Sequence, residues 1–221
     1  MLARNMTDTD SYRSRLQDAG KAWRYATRFE RGSRRRIDQR EQGAVREIFA
    51  ELNGCRRVLD VPSGAGRFLA ILSQENREVI EMDVALEILE FARQRAAKLG
   101  LKAEFMPGDA SRLPLSPDSV DVIFCNRLLH HITAAAERAV FLREFHRVTR
   151  RYVVVSFFDY QAFGALRRFL KSLKGRQVNY DGQPTLEEFR AETARCGFQV
   201  RRIVPTGPVW VAEKYLVLEK A

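Results

Sequence analysis

The sequence predicts an α/β fold with a doubly wound sheet of seven strands, mostly parallel, with a terminal antiparallel hairpin and additional N-terminal helices. From Gly54 onward, short apolar runs alternate with amphipathic stretches, which is the pattern of a sheet with helices on both faces. The run Tyr152–Phe158 is apolar throughout, as expected of a parallel strand covered on both sides. The last two apolar runs have no helix between them, so they are expected to pair antiparallel.

The first 53 residues predict a helical cover, and residues 54–221 predict the main domain, the two forming one structural unit. Helical periodicity extends over residues 10–52, and a second helix is expected from about Ile37 to Leu52. Gly32 and Ser33 are expected to separate the two helices.

The main domain is expected to alternate strands and helices up to its last two strands. Gly100 is a stop signal for one helix, Thr133 is a candidate N-cap, and Thr185 with Glu188 forms a capping box. The predicted strands are Arg57–Val61, Glu78–Met82, Ala103–Met106, Ser119–Cys125, Tyr152–Phe158, Phe198–Val204 and Val209–Leu218. The predicted helices are Gly66–Ser73, Leu86–Leu99, about Ala134–Thr149 and Thr185 to about Cys196.

Composition limits the class of protein. The chain has 221 residues with 45% hydrophobic residues, too many for intrinsic disorder, and its net charge of +10 suggests an anionic partner. Residues 54–142 are nearly neutral, whereas residues 143–176 hold nine basic and two acidic side chains. The three scattered cysteines predict free thiols and no metal site. We expect a cytoplasmic protein, with contact to the inner face of a membrane left open.

The segment from Val58 to Phe68 carries the strongest chemical signal. A buried strand ends in Asp60, passes through Gly64 and Gly66, and leads toward a helix. Glycines at such a turn let the backbone approach a ligand closely. A dinucleotide site would want a third glycine where this chain has Leu69, so the loop alone does not identify its ligand.

Two further acidic residues make the expected ligand of this loop more specific. Asp83 follows the second predicted strand, where an acid can accept hydrogen bonds from both ribose hydroxyls. Asp109 follows the third, where it can accept from an exocyclic adenine amine. Both acids, like Asp60, sit at carboxyl ends of predicted parallel strands, where ligands of open α/β sheets bind. The three together predict an adenosine-type ligand.

Between Arg57 and Arg151 the chain resembles the class I S-adenosylmethionine-dependent methyltransferases, particularly the ubiquinone-biosynthesis branch, with their Rossmann-like fold. The resemblance rests on VLDVPSGAGRF at 58–68, EMDV at 81–84, GDA at 108–110 and the stretch 113–132. It implies S-adenosylmethionine as cofactor, with Asn126 beside its sulfonium side. The implied cofactor-binding residues are Asp60, Pro62, Ser63, Gly64, Gly66, Asp83, Val84, Asp109, Ala110 and Asn126. Pro62 departs from the family's glycine and removes a donor N–H there.

The methyl acceptor is less defined. His130 and His131 follow the fourth strand, where a histidine can act as a base; the alternative is that the rings pack the pocket or bond backbone. The Asn-Pro-Pro-Tyr/Phe motif of amino-methylating nucleic-acid enzymes does not follow strand four, and the proline-flanked nucleophile of cytosine-C5 enzymes is also missing. We therefore expect a small or lipid-linked, anionic acceptor, with oxygen favoured. An RNA or protein methyltransferase and a non-catalytic cofactor-binding module are the alternatives.

Basic and aromatic residues outside the cofactor motifs are candidates for acceptor contact. Residues 161–176 form a candidate basic amphipathic helix. This helix could be a lid packed on the domain, a site that binds a phosphorylated or lipid-linked substrate or a membrane surface, or a contact for nucleic acid. Trp23, Tyr25 and Phe29 are expected to cap the cofactor site. The predicted substrate-contacting residues are Tyr25, Arg36, Arg40 and Arg167.

Overall fold

The protein, described here by a computed structural model over residues 19–29, 32–160 and 183–221, contains one seven-stranded sheet. The strand order is β3-β2-β1-β4-β5-β7-β6, and the strands are Arg57–Asp60 (β1), Glu78–Asp83 (β2), Glu104–Pro107 (β3), Val120–Cys125 (β4), Thr149–Phe158 (β5), Phe198–Pro205 (β6) and Glu213–Lys220 (β7). The first five strands are parallel, whereas β7 runs antiparallel to both β5 and β6. The predicted fold class, with its terminal hairpin, is confirmed.

Helices cover both faces of the sheet, as the alternation of strands and helices predicted. They are Ala19–Ala26 (α1), Gly32–Glu51 (α2), Leu69–Leu72 (α3), Leu86–Leu99 (α4), Ala135–Val148 (α5) and Leu186–Arg195 (α6), with short 3₁₀ turns at Gln74–Asn76 and Leu129–His131. On one face, α5 and α6 pack on the strands through Leu142, Phe145 and Phe189. On the other face, α2 and α3 pack on the opposite side chains of the same strands.

The predicted N-terminal cover is anchored through both of its described helices. Helix α2 places Ala44, Val45, Ile48 and Phe49 in the core that includes strand residues on its face of the sheet. Helix α1 contacts the start of α4, with Ala22 against Ala85 and Ile88. The cover therefore packs on the carboxyl-end side of the sheet as well as on its face.

Several predicted boundaries are confirmed by local geometry. Helix α4 has the predicted bounds and ends at Gly100, whose φ of 66° is left-handed. Thr185 accepts a hydrogen bond from the Glu188 amide while the Glu188 carboxylate accepts from the Thr185 amide, so the capping box is formed.

Other predicted boundaries are wrong. The helix expected at Gly66–Ser73 is only the single turn of α3, because the left-handed Gly66 holds the preceding residues in a turn. Helix α2 begins at Gly32 and not near Ile37. The N-cap of α5 is Ala134, since the carbonyl of Thr133 is turned toward the Arg138 guanidinium.

The last strand also begins later than predicted, because Val209–Ala212 belongs to the turn before β7 and not to the strand. The basic amphipathic helix expected at 161–176 lies outside the described residues. Within the described residues, no helix is both long enough and apolar enough to cross a membrane. All three cysteines are buried free thiols.

Helices α5 and α6 are joined by a buried ion pair. The Arg138 guanidinium donates to both carboxylate oxygens of Glu192, at 2.8 and 2.6 Å, and to the carbonyls of Ile132 and Thr133. Both side chains are almost fully buried. Removing one partner of such a pair leaves an uncompensated charge in the interior.

We therefore expect Glu192→Ala to lower the free energy of unfolding by roughly 3–5 kcal/mol in urea titration at neutral pH. The matched control is Arg190→Ala, an exposed position on the same helix, which should change stability by no more than about 0.5 kcal/mol. Equal effects of the two substitutions would mean that the pair does not hold α6 in place.

Candidate functional site

The loop between β1 and α3 folds back over the end of β2. The Ser63 amide donates to the Met82 carbonyl at 2.8 Å, and the Gly64 amide donates to the Asp83 carboxylate at 3.0 Å. Gly64 and Gly66 have φ values of 56° and 67°, in the region that favours glycine. The loop is thus tied to β2 by its own amides, as a close backbone approach to a ligand requires.

Gly66 is also required by packing. A Cβ atom at this position would lie 3.2 Å from the backbone Cα of Ala92 in α4 and 3.4 Å from a carboxylate oxygen of Glu81. Only a glycine lets α4 approach the loop this closely. Pro62 and Gly64 are half-buried, and Ser63 is buried, so these predicted cofactor residues form the inner surface of the loop.

Asp83, the predicted ribose acid, is buried at the end of β2. Its two oxygens accept from the amides of Gly64 and Ala85, both at 3.0 Å. Burial raises the pKa of Asp83 to about 6, against the effect of these backbone hydrogen bonds. At neutral pH the carboxylate is therefore ionised, which suits an acceptor of hydroxyl protons. The half-buried Val84 follows it directly.

Asp60 lies beside an acid that the sequence analysis did not single out. Asp60 and Glu81 are paired in register on β1 and β2, so their side chains lie on the same face of the sheet. Both are buried, and none of their four carboxylate oxygens has a hydrogen-bond partner in the described part of the chain. In the sequence, the only indication of this acidic pair is a glutamate, Glu81, within an apolar strand.

The Asp60–Glu81 pair is a buried acidic site, with Arg67 and Arg95 as the cations that act on it from a distance. Burial and then the charge of Glu81 raise the pKa of Asp60 well above its ordinary range, and burial raises the pKa of Glu81 to about 8. Such a pair favours a positively charged ligand group, because a cation relieves the cost of burying carboxylates. The methionine end of S-adenosylmethionine carries cationic groups and fits this donor set.

Asp109 and Ala110 follow β3 at the same edge. One Asp109 oxygen accepts from the amide and the hydroxyl of Ser111, both at 2.8 Å, which fixes the carboxylate in a turn. The preceding Gly108 amide donates to the Asp83 carbonyl, so the ends of β2 and β3 are joined. This geometry places Asp109 near Asp83, as a ribose-adenine site requires.

Asn126 is buried at the end of β4. The hydroxyl of Tyr215, on β7, donates to its side-chain oxygen at 3.0 Å. The predicted cofactor residues are thus brought together from the ends of β1, β2, β3 and β4, which all lie at the carboxyl edge of the sheet. Their individual contacts with a cofactor stay predictions.

A buried ionic network adjoins this edge and was also missed by the sequence analysis. Glu41 of α2 pairs through one oxygen with Arg67, which follows Gly66, and through the other with Arg127, which follows Asn126. Arg127 also pairs with Glu213 at 2.9 Å, and Arg67 pairs with Asp38 at 2.5 Å. The network therefore connects α2, the glycine loop and the start of β7.

Charges in this network are unevenly distributed. Although burial opposes ionisation, the cations Arg67 and Arg127 hold the pKa of Glu41 below its ordinary value. Burial and the neighbouring Glu41 raise the pKa of Glu213 to about 8. Glu41, whose pKa is lowered, is therefore the main counter-charge of Arg127.

Aromatic residues of the N-terminal cover lie over the glycine loop. The Tyr25 ring is about 4.0 Å from the position of a Cβ on Gly64, and the Arg28 guanidinium stacks on that ring at 3.7 Å. The Arg67 guanidinium lies 4.1 Å from the centre of the Phe29 ring. Trp23 is 53% exposed, and its predicted part in the cap stays a prediction.

The predicted substrate residues are brought together only in part. Tyr25 lies at the cofactor loop, whereas Arg36 is exposed on α2. Arg40 is also exposed and lies against the turn after β6, with its Cδ atom 3.5 Å from the position of a Cβ on Gly207. Arg167 lies outside the described residues.

His130 and His131 occupy the 3₁₀ turn after β4. The His130 ring stacks on His131 at 3.9 Å and on Phe158 at 4.5 Å. Burial, followed by the charges of His131, Arg127 and Arg28, lowers the pKa of His130 to about 3. This environment makes His130 a weak base and favours the packing interpretation of its role.

The buried Glu81 predicts an unusual dependence of stability on pH. Its pKa of about 8 in the folded state exceeds its ordinary value of 4.5, so the folded protein binds this proton more tightly than the unfolded chain. The free energy of unfolding should therefore fall as the pH rises from about 5 to about 8. The groups that influence Glu81 are Asp60, Asp83, Ser63 and Arg95.

Glu81→Gln should remove the contribution of Glu81 to this slope, so that between pH 5 and pH 8 the variant gains a few kcal/mol relative to the wild type in urea unfolding. Glu78→Gln, an exposed position on the same strand, is the control and should follow the wild-type curve. Parallel curves for wild type and Glu81→Gln would contradict the buried state of this carboxyl.

The position of Asp83 predicts a loss of cofactor affinity on substitution. Asp83→Ala should weaken S-adenosylhomocysteine binding by about 1.5–3 kcal/mol in calorimetry, because charged hydrogen bonds to the ribose are lost. Glu104→Ala, at an exposed acid on β3, should leave the affinity unchanged. Unchanged affinity in Asp83→Ala would place the ribose elsewhere.

Comparisons with known proteins match this geometry. Residues 58–151 match the family model described as a methyltransferase domain. A malonyl-[acyl-carrier protein] O-methyltransferase from Hamiltonella defensa is 27% identical over 132 residues, covering 60% of this chain and 46% of the relative. A ubiquinone biosynthesis O-methyltransferase from Aliivibrio fischeri is 31% identical over 88 residues, covering 38% of each chain.

The fold is shared with solved structures over nearly the whole chain. The crystal structure of magnesium protoporphyrin IX methyltransferase from Synechocystis PCC 6803 with bound S-adenosylhomocysteine has a TM-score of 0.76 at 18% identity. The alignment covers 96% of this chain and 99% of that one. The chain spans less than half the length of the curated relatives it matches, between 14% and 46% of the first three.

Sequence motifs, family model and fold agree on a methyltransferase, and the two Synechocystis structures contain bound S-adenosylhomocysteine or S-adenosylmethionine. Residues 58–151 therefore match a methyltransferase domain, and the fold around them is the one found in solved S-adenosylmethionine-dependent methyltransferases.

Proposed function

We propose that this protein transfers a methyl group from S-adenosylmethionine to an oxygen of a small or lipid-linked anionic acceptor, a carboxylate above all. The observation that carries the proposal is a cationic and aromatic cluster beside Asn126. Arg127 follows Asn126 directly, and its guanidinium lies 5.3 Å from the Phe158 ring and 5.6 Å from the Phe29 ring. Arg28 adds a second cation that acts on the neighbouring His130.

The backbone at Arg127 supports a functional role. Its φ of 55° is left-handed, a conformation that costs energy for a residue with a side chain. The conformation is held by Glu41 and Glu213 on the side chain and by a 2.7 Å hydrogen bond from the Arg127 amide to the Ser156 hydroxyl. These contacts hold the Arg127 guanidinium, whose charge is paired with Glu41, at the edge where the acceptor would approach.

A shallow cleft lies next to this cluster, between the turn after β4, the end of β5 and the start of α6. Its enclosed space is about 10 Å³, which is room for a single water molecule. Its lining residues include His130, Ser156, Phe157, Phe158 and Gln183. The Gln183 side chain donates to the His130 carbonyl at 2.7 Å, which holds the cleft wall in place. Its apolar walls with a few polar groups have the composition of a small-molecule site, at a much smaller volume.

The weak basicity of His130 favours an acceptor that is already ionised. A phenol or an alcohol needs a protein base near neutral pH, and a histidine with a pKa near 3 takes up a proton poorly. A carboxylate carries its nucleophilic lone pair at neutral pH without any base. The chain's own contribution is then to bind, orient and exclude water, which can account for a large part of a rate enhancement.

The cofactor, when bound, supplies an electrophilic methyl group on a positively charged sulfur. Asp60 and Glu81 are suited to its cationic end, Asp83 to the ribose, Asp109 to the adenine and Asn126 to the sulfonium side. The names of two relatives, a malonyl-[acyl-carrier protein] and a ubiquinone biosynthesis O-methyltransferase, support oxygen as the acceptor atom.

The reaction can be tested with labelled cofactor and cell extract. We expect the label in a small or lipid-soluble product, as a methyl ester that alkali hydrolyses to methanol. Label in RNA or protein would favour the alternative methyltransferase classes, and an alkali-stable small product would exclude a carboxylate acceptor. Cofactor binding without any transfer would favour a non-catalytic module.

His130→Gln provides a test at the level of one residue. With a carboxylate acceptor, kcat/KM should fall by less than about tenfold and keep the wild-type pH profile, whereas loss of a general base costs roughly 10²–10⁴-fold. The matched control is His146→Gln. His146 lies on α5, where its ring is next to Gly197. A loss of two orders of magnitude in His130→Gln alone would make His130 a base and contradict the carboxylate assignment.

A further inference from the structure

We propose that the turn between β6 and β7, together with the start of α2, docks on an anionic lipid membrane. The turn, residues 206–212, has no charged side chain. Val209 and Trp210 at its tip are 72% and 65% exposed, the highest values among the large apolar side chains of the described residues. Exposed apolar side chains clustered at one point mark contact sites more often than isolated ones do.

The tip is held in a fixed position. The Thr206 hydroxyl and amide both donate to the Glu213 carbonyl, at 2.9 and 3.2 Å, and the Val211 amide donates to the Pro208 carbonyl at 2.7 Å. The Asp159 amide donates to the Ala212 carbonyl, which ties the turn to the end of β5. The base of the turn is buried and only its apolar tip projects, which is a suitable shape for shallow insertion.

A basic rim adjoins the tip. Arg40 of α2 lies against Gly207, and the Arg202 guanidinium in the middle of β6 pairs with Glu47 and Glu51 further along the helix. Helix α2 therefore runs antiparallel to β6. The N-terminal end of α2 extends past the turn between β6 and β7. This end exposes Arg34, Arg35 and Arg36, with no acidic residue among residues 32–37.

The combination of a tryptophan tip and a basic rim identifies the partner as an anionic bilayer. Tryptophan prefers the membrane interface, and each basic residue near an anionic leaflet contributes about 1 kcal/mol. An RNA platform would interleave aromatic and basic side chains, whereas residues 206–212 contain no basic side chain. Docking by this surface does not depend on the proposed reaction.

Docking would also orient the site. Glu213, at the end of the turn, pairs with Phe158, the last residue of β5. The tip therefore lies at the carboxyl edge of the sheet, the edge that holds Asn126 and Arg127. A lipid-linked acceptor at the membrane surface would face the cleft directly.

The fluorescence of Trp210 provides the test. In the full chain carrying Trp23→Phe, Trp210 is the remaining tryptophan. Adding vesicles of equal parts phosphatidylcholine and phosphatidylglycerol should shift its emission to the blue, and brominated acyl chains should quench it. Vesicles of phosphatidylcholine alone should give a much smaller effect. Unchanged emission with the anionic vesicles would overturn the proposal.

Variants separate insertion from charge. In vesicle sedimentation, the double variant Val209→Ser, Trp210→Ser should bind at least about tenfold more weakly. Arg34→Gln with Arg35→Gln should weaken binding roughly thirtyfold and reduce its salt dependence. Leu99→Ser is the control, because Leu99 is 52% exposed at the end of α4, on the opposite edge.

All variants should bind S-adenosylhomocysteine like the wild type, which shows that they are folded. Equal binding of the tip variant and the wild type to anionic vesicles would contradict the role of the tip. Stronger binding to single-stranded RNA than to anionic vesicles would assign the basic rim to RNA instead. Vesicle binding is measured without turnover, so its failure is distinguishable from failure of the proposed methyl transfer.

Discussion

The Glu41 carboxylate, buried between two arginines, is the interaction on which the site depends. A charge without solvent is tolerated only when it is compensated, and Glu41 forms an ion pair with Arg67 through one oxygen and a hydrogen-bonded ion pair with Arg127 through the other. Arg67 follows the glycine loop and Arg127 follows Asn126. One side chain of the N-terminal cover thus fixes two segments that would otherwise be separate loops, and the cover becomes part of the site.

Because of this network, the net charge of the chain does not equal the charge that its surface presents to a partner. The net charge of residues 54–142 is close to zero. Three arginines in this segment form ion pairs inside the protein: Arg67 and Arg127 with Glu41, and Arg138 with Glu192. The exposed excess is elsewhere, and the described part of it includes Arg34, Arg35 and Arg36 at the start of α2. Buried arginines position the site, whereas exposed ones are available to an anionic partner.

Features with a local cause could be predicted from sequence, and those formed by distant partners could not. The stop at Gly100 and the capping box at Thr185 depend on residues within one turn of the helix, so both predictions are confirmed. Arg127 forms ion pairs with Glu41 and Glu213, which lie 86 positions before and after it in the sequence. No local sequence pattern predicts such pairs. The Asp60–Glu81 pair follows from strand register, which was not predicted.

Strand order explains why one edge of the sheet carries so many functions. Because β1 to β4 are parallel, their carboxyl ends bring Asp60, Asp83, Asp109 and Asn126 to a common edge. Because β7 runs antiparallel to β5, the turn before it returns to that same edge, next to Phe158. A parallel seventh strand would have placed its preceding turn at the opposite edge. The reversal of a single strand therefore puts the apolar tip at the edge that holds the predicted cofactor residues.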